Sequence, residues 1–309
     1  MKRLIIIFIT FVGITTCLYS QQSPLYTQYM NNPYVLDPAI AGTVNFFQAR
    51  IISRWQWVGF TDAPITSTMS VYGPWSAQNK DMGYGVTVYD DVTGPISRME
   101  LNGSYAYNIA LSAEIRMSFG ANFGVLQYKI DGSKLTTTTT PDEQTTYDAI
   151  IPNGVWSKFF PDAAAGVYVY RNDFHIGLSA DNLFNQTILN NQPINGQSKA
   201  LGKLQSNFYL LGSYYYIINR HYAVESSGMI QKVIPAPYQF DINVKGIYMN
   251  TAWLGISYRS QDAISILMGY TFNKRILVGY SFDWSLSAIS RYNIGTHEIM
   301  LAYKFNPLK

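Results

Sequence analysis

Residues 251–284 read TAWLGISYRSQDAISILMGYTFNKRILVGYSFDW, and their spacing decides the fold. Ala252, Leu254, Ile256 and Tyr258, then Ile264, Ile266, Met268, Tyr270 and Phe272, then Ile276, Val278, Tyr280, Phe282 and Trp284 stand at every second position. Between them lie small or polar residues, among them Gly255, Ser257, Arg259, Ser265, Gly269, Gly279, Ser281 and Asp283. A period of two sends the two sets to opposite faces of a strand. A long apolar face ending in aromatics, backed by a polar one, suits a strand with lipid on one side and a lumen on the other. The expectation is an all-β chain, a transmembrane antiparallel β-barrel of the outer-membrane type.

Working outward, fourteen segments of this kind can be counted, from Phe46–Val58 to His297–Phe305, an even number as single-chain bacterial barrels have. Short connections at Ser76–Asp81, Ala110–Ser112, Asn172-Asp173, Arg220-His221, Asn250 and Asn273-Lys274 each join an even strand to the next odd one. The long ones, Asp131–Pro161, Leu183–Leu204 and Leu286–Thr296, join odd to even. Short turns mark the periplasmic rim and long loops the outer one, so both termini are expected in the periplasm. Glu100, Arg116, Asp241, Lys245, Arg259, Asp283, Glu298 and Lys304 fall at lumen positions, where charge is ordinary. In the last strand Ile299, Leu301, Tyr303 and Phe305 should meet lipid, so Leu301→Lys is expected to be costly and Ala302→Lys mild.

Composition agrees: 13% of residues are charged and 15% aromatic, with 25 Tyr, whereas soluble domains are about one-quarter charged. A net charge of +3 without a basic patch argues against nucleic-acid binding. Lys2 and Arg3, the apolar run Leu4–Val12 and Leu18-Tyr19-Ser20 read as a signal peptide over residues 1–20. Cleavage there removes Cys17, the one cysteine. The expected organisation is that signal, an N-terminal periplasmic or plug segment over 21–45 and one barrel over 46–309, placed in the outer membrane of a Gram-negative bacterium. Thr136–Thr140 reads as a low-complexity loop tip.

Catalytic chemistry finds no foothold. His175, His221 and His297 lie far apart, without metal-ligand spacing or a nucleophile motif. Asp90-Asp91 precedes a Gly-Pro turn and lacks the further spaced oxygen ligands of a cation loop. No cofactor, metal site or enzymatic activity is expected.

The segment Pro24–Pro33, PLYTQYMNNP, followed by Leu36–Gly42, LDPAIAG, resembles the N-terminal hallmark of the PorP/SprF family of type IX secretion and gliding proteins of Bacteroidota. The similarity continues through Arg54–Gly59, Pro64, Asp91–Pro95, Gly177-Leu178-Ser179, Asn182-Leu183-Phe184 and Gly295–Leu301. Its motif residues here are Gln28, Tyr29, Asn32, Pro33, Asp37, Pro38, Ala39 and Gly42. Asp37 stands where the family usually has Asn, and the chain runs past Phe305 to Asn306-Pro307-Leu308-Lys309. The resemblance implies a barrel that works with type IX components and holds a secreted surface protein, an adhesin, by its C-terminal domain. Read from the residues alone, a channel for small or hydrophobic solutes remains the competitor. Trp156, Phe159, Phe160, Phe184, Ile188 and Leu189, assigned to the two long loops, are the expected partner contacts, since aromatic anchors among polar residues suit a protein interface. The hallmark's Tyr26, Tyr29, Met30, Tyr34 and Leu36 are apolar anchors, and Pro33, Pro38 and Gly42 impose non-helical bends, as a plug requires.

Overall fold

The structure, a computed structural model, describes residues 26–75, 81–135, 154–189 and 200–305. Its strands in chain order are β1 (Phe47–Trp55), β2 (Ile65–Pro74), β3 (Met82–Thr93), β4 (Ile96–Ala110), β5 (Arg116–Asp131), β6 (Val155–Tyr170), β7 (Phe174–Asp181), β8 (Thr187–Leu189), β9 (Ala200–Lys203), β10 (Asn207–Ile217), β11 (Tyr222–Val233), β12 (Tyr238–Tyr248), β13 (Ala252–Arg259), β14 (Ala263–Phe272), β15 (Ile276–Ser285) and β16 (Thr296–Phe305). All but β8 and β9 form one closed antiparallel barrel of 14 strands. β1 closes on β16 in register from Phe47↔Phe305 to Trp55↔His297, so no strand edge is left unpaired at the seam. Among the described residues no helix is long and apolar enough to cross a membrane. Spanning by strands satisfies every backbone group in lipid through closure instead.

The alternation carries through to the walls. Along β13, Trp253, Gly255, Ser257 and Arg259 are buried inward, while Leu254, Ile256 and Tyr258 are exposed outward. The outer surface is apolar, and toward the short-turn rim aromatics pair along it: Tyr270 with Phe272, Tyr222 with Tyr248, and Tyr303 with Phe305. That is the belt an interface with lipid headgroups favours. At this rim β12 reaches β13 through Met249 and Asn250, and β14 reaches β15 through Asn273 and Lys274, all four at positive φ. Two consecutive left-handed residues make the tight hairpin whose twist matches its strands. The opposite rim carries the long connections, and between β7 and β10 the chain makes a separate β8–β9 hairpin. The expected signal over 1–20, the start of the 21–45 segment, Thr136–Thr140 and the tail after Phe305 lie outside the described residues.

Two expectations are corrected. Trp156, Phe159 and Phe160 are not on a loop: β6 begins at Val155, because its first half pairs with β5 from Asp131↔Val155 onward. Pro161, which reads as a loop end, is tolerated because β6 pairs with β7 only from Ala165 to Tyr170, leaving the Pro161 backbone on an open edge. Ala302 is the second: it faces inward at 2% exposure, against a lumen that is packed rather than wet. A lysine there has no water to reach. Leu301→Lys, mid-strand on the lipid face, should destabilise the barrel by about 2–4 kcal/mol. Ala302→Lys should cost at least as much through overpacking and a buried charge. Refolding titrations into lipid vesicles would read both, and a near-neutral Ala302→Lys would mean the lumen is open.

Candidate functional site

The lumen is occupied by the chain's own N-terminal segment. From Tyr26 to Gly42 the backbone forms three single-turn 3-10 segments, Tyr29–Asn31, Pro33–Val35 and Pro38–Ile40. Two begin at proline, whose fixed φ suits the first helical position and whose missing N–H forfeits nothing there. Of the motif residues, Gln28, Tyr29, Asn32, Asp37, Pro38, Ala39 and Gly42 are buried, and Pro33 is half-buried. They are the filling of the barrel.

Toward the long-connection rim the plug is held by charge. Arg54 of β1 reaches Asp283 of β15 at 2.8 Å and Glu298 of β16 at 3.2 Å, each residue about 2% exposed or less. Arg259 of β13 pairs with Asp241 of β12 at 3.0 Å, and Ser257 donates to the same carboxylate at 2.6 Å. Three buried carboxylates therefore face two guanidiniums, and the plug supplies what is missing. The Thr27 and Gln28 backbone N–H groups both donate to Glu298, each at 2.9 Å. Arg54 also donates to the Thr27 hydroxyl at 2.7 Å, and Arg259 to the Tyr26 carbonyl at 3.2 Å. A buried ion pair offsets its desolvation only when the remaining donors and acceptors find partners, and here the plug backbone provides them. Lower down, Lys245 joins Glu225 at 2.8 Å and Asn31 at 3.2 Å, while lying over the Trp253 ring.

Toward the short-turn rim the plug is held by shape. Tyr34 stacks on Tyr72 with ring centres 4.1 Å apart and hydrogen-bonds Ser104. Ser179 donates to the Leu36 carbonyl at 2.6 Å. A Cβ on Gly120 would stand 2.2 Å from the Ala39 nitrogen, one on Gly83 2.3 Å from the Gly42 nitrogen, and one on Gly166 2.0 Å from the Asp37 carboxylate. Inward glycines thus let the two backbones touch. The chain enters the described region in the half of the lumen near the long connections, where Tyr26 hydrogen-bonds Thr68 at 2.6 Å, and descends to Gly42 beside Gly83. Tyr26 and Phe305, the ends of the described residues, consequently lie toward opposite rims.

Asp37 caps the third turn, accepting from the Ala39 N–H at 2.9 Å, and is fully buried. Its second oxygen has no hydrogen-bond partner. Burial pushes this carboxyl up to about 8 against the lowering effect of the Ala39 N–H, so Asp37 is largely protonated near neutrality and stands in for a neutral amide.

The expected partner contacts divide. Trp156, Phe160 and Ile188 pack with Leu126, Ile130 and Leu204 in a second apolar cluster where the β5–β6 ribbon meets the β8–β9 hairpin. Phe159, on the outward face of β6, and Phe184 are exposed; Leu189 ends β8. Burial of three of the six follows from inward phase along β6 and from the hairpin folding back over it. Missed at the long-connection rim were Phe60 and Tyr292, an edge-on ring pair, and Ile294, 74% exposed. Their signal was an aromatic or aliphatic residue inside otherwise polar connections.

A closed barrel with its own segment wedged in the lumen defines a plugged outer-membrane β-barrel. The chain belongs to the family described as type IX secretion system membrane protein PorP/SprF, whose model matches residues 18–303. Solved structures similar in fold include the CymD monoaromatic hydrocarbon channel, at 9% identity over 92% of this chain and 94% of that one, with a TM-score of 0.54. The Pseudomonas putida toluene transporter TodX matches at 9% identity over 93% and 95%, and the Ralstonia pickettii toluene transporter TbuX at 8% over 87% and 92%, each with a TM-score of 0.50. Such identities speak for the fold alone. No curated protein matches the chain.

Two outcomes test the plug. Gly120→Val should drive the plug from its seat, exposing it to protease and raising the conductance of the barrel in planar bilayers. Gly103→Val, on the open outward face, should do neither. Asp37→Asn bears on pH. A folded-state pKa raised from the ordinary 3.8 means stability is fully present below that value and lost as pH rises toward about 8. The amide should abolish that slope and be neutral or stabilising near neutrality, read as the unfolding midpoint of the heat-modifiable band across pH. A wild-type midpoint that rises over the same interval would contradict it.

Proposed function

We propose that this barrel retains a partner surface protein at the outer membrane, gripping the C-terminal domain of a secreted adhesin at the long-connection rim, in concert with other type IX secretion components. That rim faces the cell exterior in this reading. Membership of the family supplies the secretion system. The observation that carries the rest is the wedged plug: with the lumen taken up by residues 26–42 and the wall closed, the surfaces left for a partner are the rims. Phe60, Leu183, Phe184, Tyr292 and Ile294 are exposed on the long connections. The Leu183–Phe184 turn is held in place by Asn185, which donates to the Ser206 hydroxyl at 2.7 Å and accepts from its N–H at 2.9 Å. Aromatic anchors on a pre-ordered loop bind at lower entropic cost.

One observation favours a second reading, a channel for small solutes. Above the plug lies a cavity of about 80 Å³, bounded by Tyr26, Val35, Leu36, Leu126 and Leu204 but also by Glu100 and Asp181. Its floor is the plug, and its mixed lining suits polar occupants better than hydrocarbons.

A deletion strain complemented with the Leu183→Ser, Phe184→Ser double variant separates the two. The variant barrel should assemble and remain heat-modifiable while the adhesin is lost from the cell surface, with solute uptake unchanged. Normal adhesin display on the variant strain, or an uptake defect in the deletion strain with display intact, would overturn the retention reading.

A further inference from the structure

The upper lumen holds a polar constellation that the plug does not use. Glu100 of β4, Asp162 of β6 and Asp181 of β7 converge from three strands, and one carboxylate oxygen from each lies within 4.8 Å of the others. Glu100 and Asp181 line the cavity above the plug, where Arg98 is the one cation among the described lining residues. Three carboxylates thus face one guanidinium in a low-dielectric interior, an arrangement that demands further positive charge. Asn102 takes up part of Glu100, donating to it at 2.6 Å. Gly124 is cross-strand from both Asn102 and Asp162, and a Cβ there would stand 1.7 Å from the Asn102 Oδ1.

Tyr89 and Asn122 line the same cavity, each with an oxygen left without a partner. Tyr89, directly cross-strand from Glu100, is 9% exposed and lines the cavity, yet its buried hydroxyl has no hydrogen-bond partner. Asp162 is 5% exposed, and its Oδ2 is likewise without one. Unpartnered oxygens gathered in one buried space mark a place for water or an ion. The Asn122 Oδ1, also unpartnered, lines the same cavity. This donor set is all oxygen, with no thiolate or imidazole, which selects a hard cation over zinc. Calcium takes oxygens at roughly 2.3–2.6 Å, so two ligands of one ion stand no more than about 5 Å apart. The carboxylate separations fit that limit.

We propose that Glu100, Asp162 and Asp181, completed by Tyr89 and Asn122, form a calcium-class divalent-cation site in the upper lumen. A bound ion ties β4 to β6 and β7 directly beneath the apolar cluster that seats the β8–β9 hairpin. It therefore stiffens the wall from which the long connections rise.

The test uses the full barrel in detergent, stripped with chelator and titrated with Tb³⁺, whose luminescence is sensitised by nearby tyrosine, then with Ca²⁺ as competitor. Wild type should give a saturable signal for one ion that Ca²⁺ displaces. Asp162→Asn should weaken binding by about tenfold or more while the barrel stays heat-modifiable, and Tyr89→Phe should lower both affinity and sensitisation. If Asp162→Asn fails to assemble, Glu100→Gln and Asp181→Asn serve in its place. No saturable signal from wild type, or wild-type binding by folded carboxylate variants, would overturn the site and leave three carboxyls that share protons among themselves.

Discussion

The Glu298 carboxylate is the hinge of this architecture. It hangs from the last strand into a dry lumen, fully buried, and is shared between Arg54 of the first strand and two backbone N–H groups of the plug. A carboxylate so placed would be severely destabilising with any of these partners removed, because the charge would remain buried without compensation. Barrel closure brings Arg54 to Glu298, where β1 meets β16 in the register Arg54↔Glu298. The seam that seals the wall and the bond that seats the plug are therefore one interaction. Asp283, one strand further on, extends it to Arg259 at 3.7 Å, and so to the β12–β13 pair.

The rest of the plug depends on absence rather than attraction. Where charge holds the upper part, missing side chains admit the lower part: Gly83, Gly120 and Gly166 each remove the carbon that would collide with residues 37–42. Charged contacts set the plug's depth, and the glycine floor sets its contour. A neutral Asp37 wedged against Gly166 and Gly177 is consistent with that division, since this end offers a fit but no counter-charge.

Much of this was legible beforehand, for reasons that can be named. The wall of β13 to β15 was readable because a period of two, sustained over three hairpins, has one physical interpretation when the apolar face is long and ends in aromatics. The interior charges were readable from the same phase. The clustered aromatics broken by prolines at the N-terminus admitted a plug but equally a periplasmic lead-in to the first strand. What escaped depended on level as well as phase. Trp156 and Phe160 look like loop anchors until β5 and β6 are known to rise together above β7, where an unpaired edge accommodates Pro161. Glu100, Asp162 and Asp181 belong to three different strands, β4, β6 and β7, and their meeting follows only from register. Gly255, Gly269 and Gly279 read as lumen-facing from the same phase, but nothing in one strand says which glycine another backbone will approach.

The bond between the Gln28 amide and Glu298 joins residues 270 positions apart. A stretch at the start of the described residues is thus anchored by the strands that are synthesised last, and contacts of such sequence separation form slowly because the intervening chain must first be closed. The plug also has little free passage once the wall is complete, with Gly42 lodged against Gly83 and Ala39 against Gly120. The pairing of first strand to last, which sets Arg54 against Glu298, therefore closes the wall and locks the strap with the same residues.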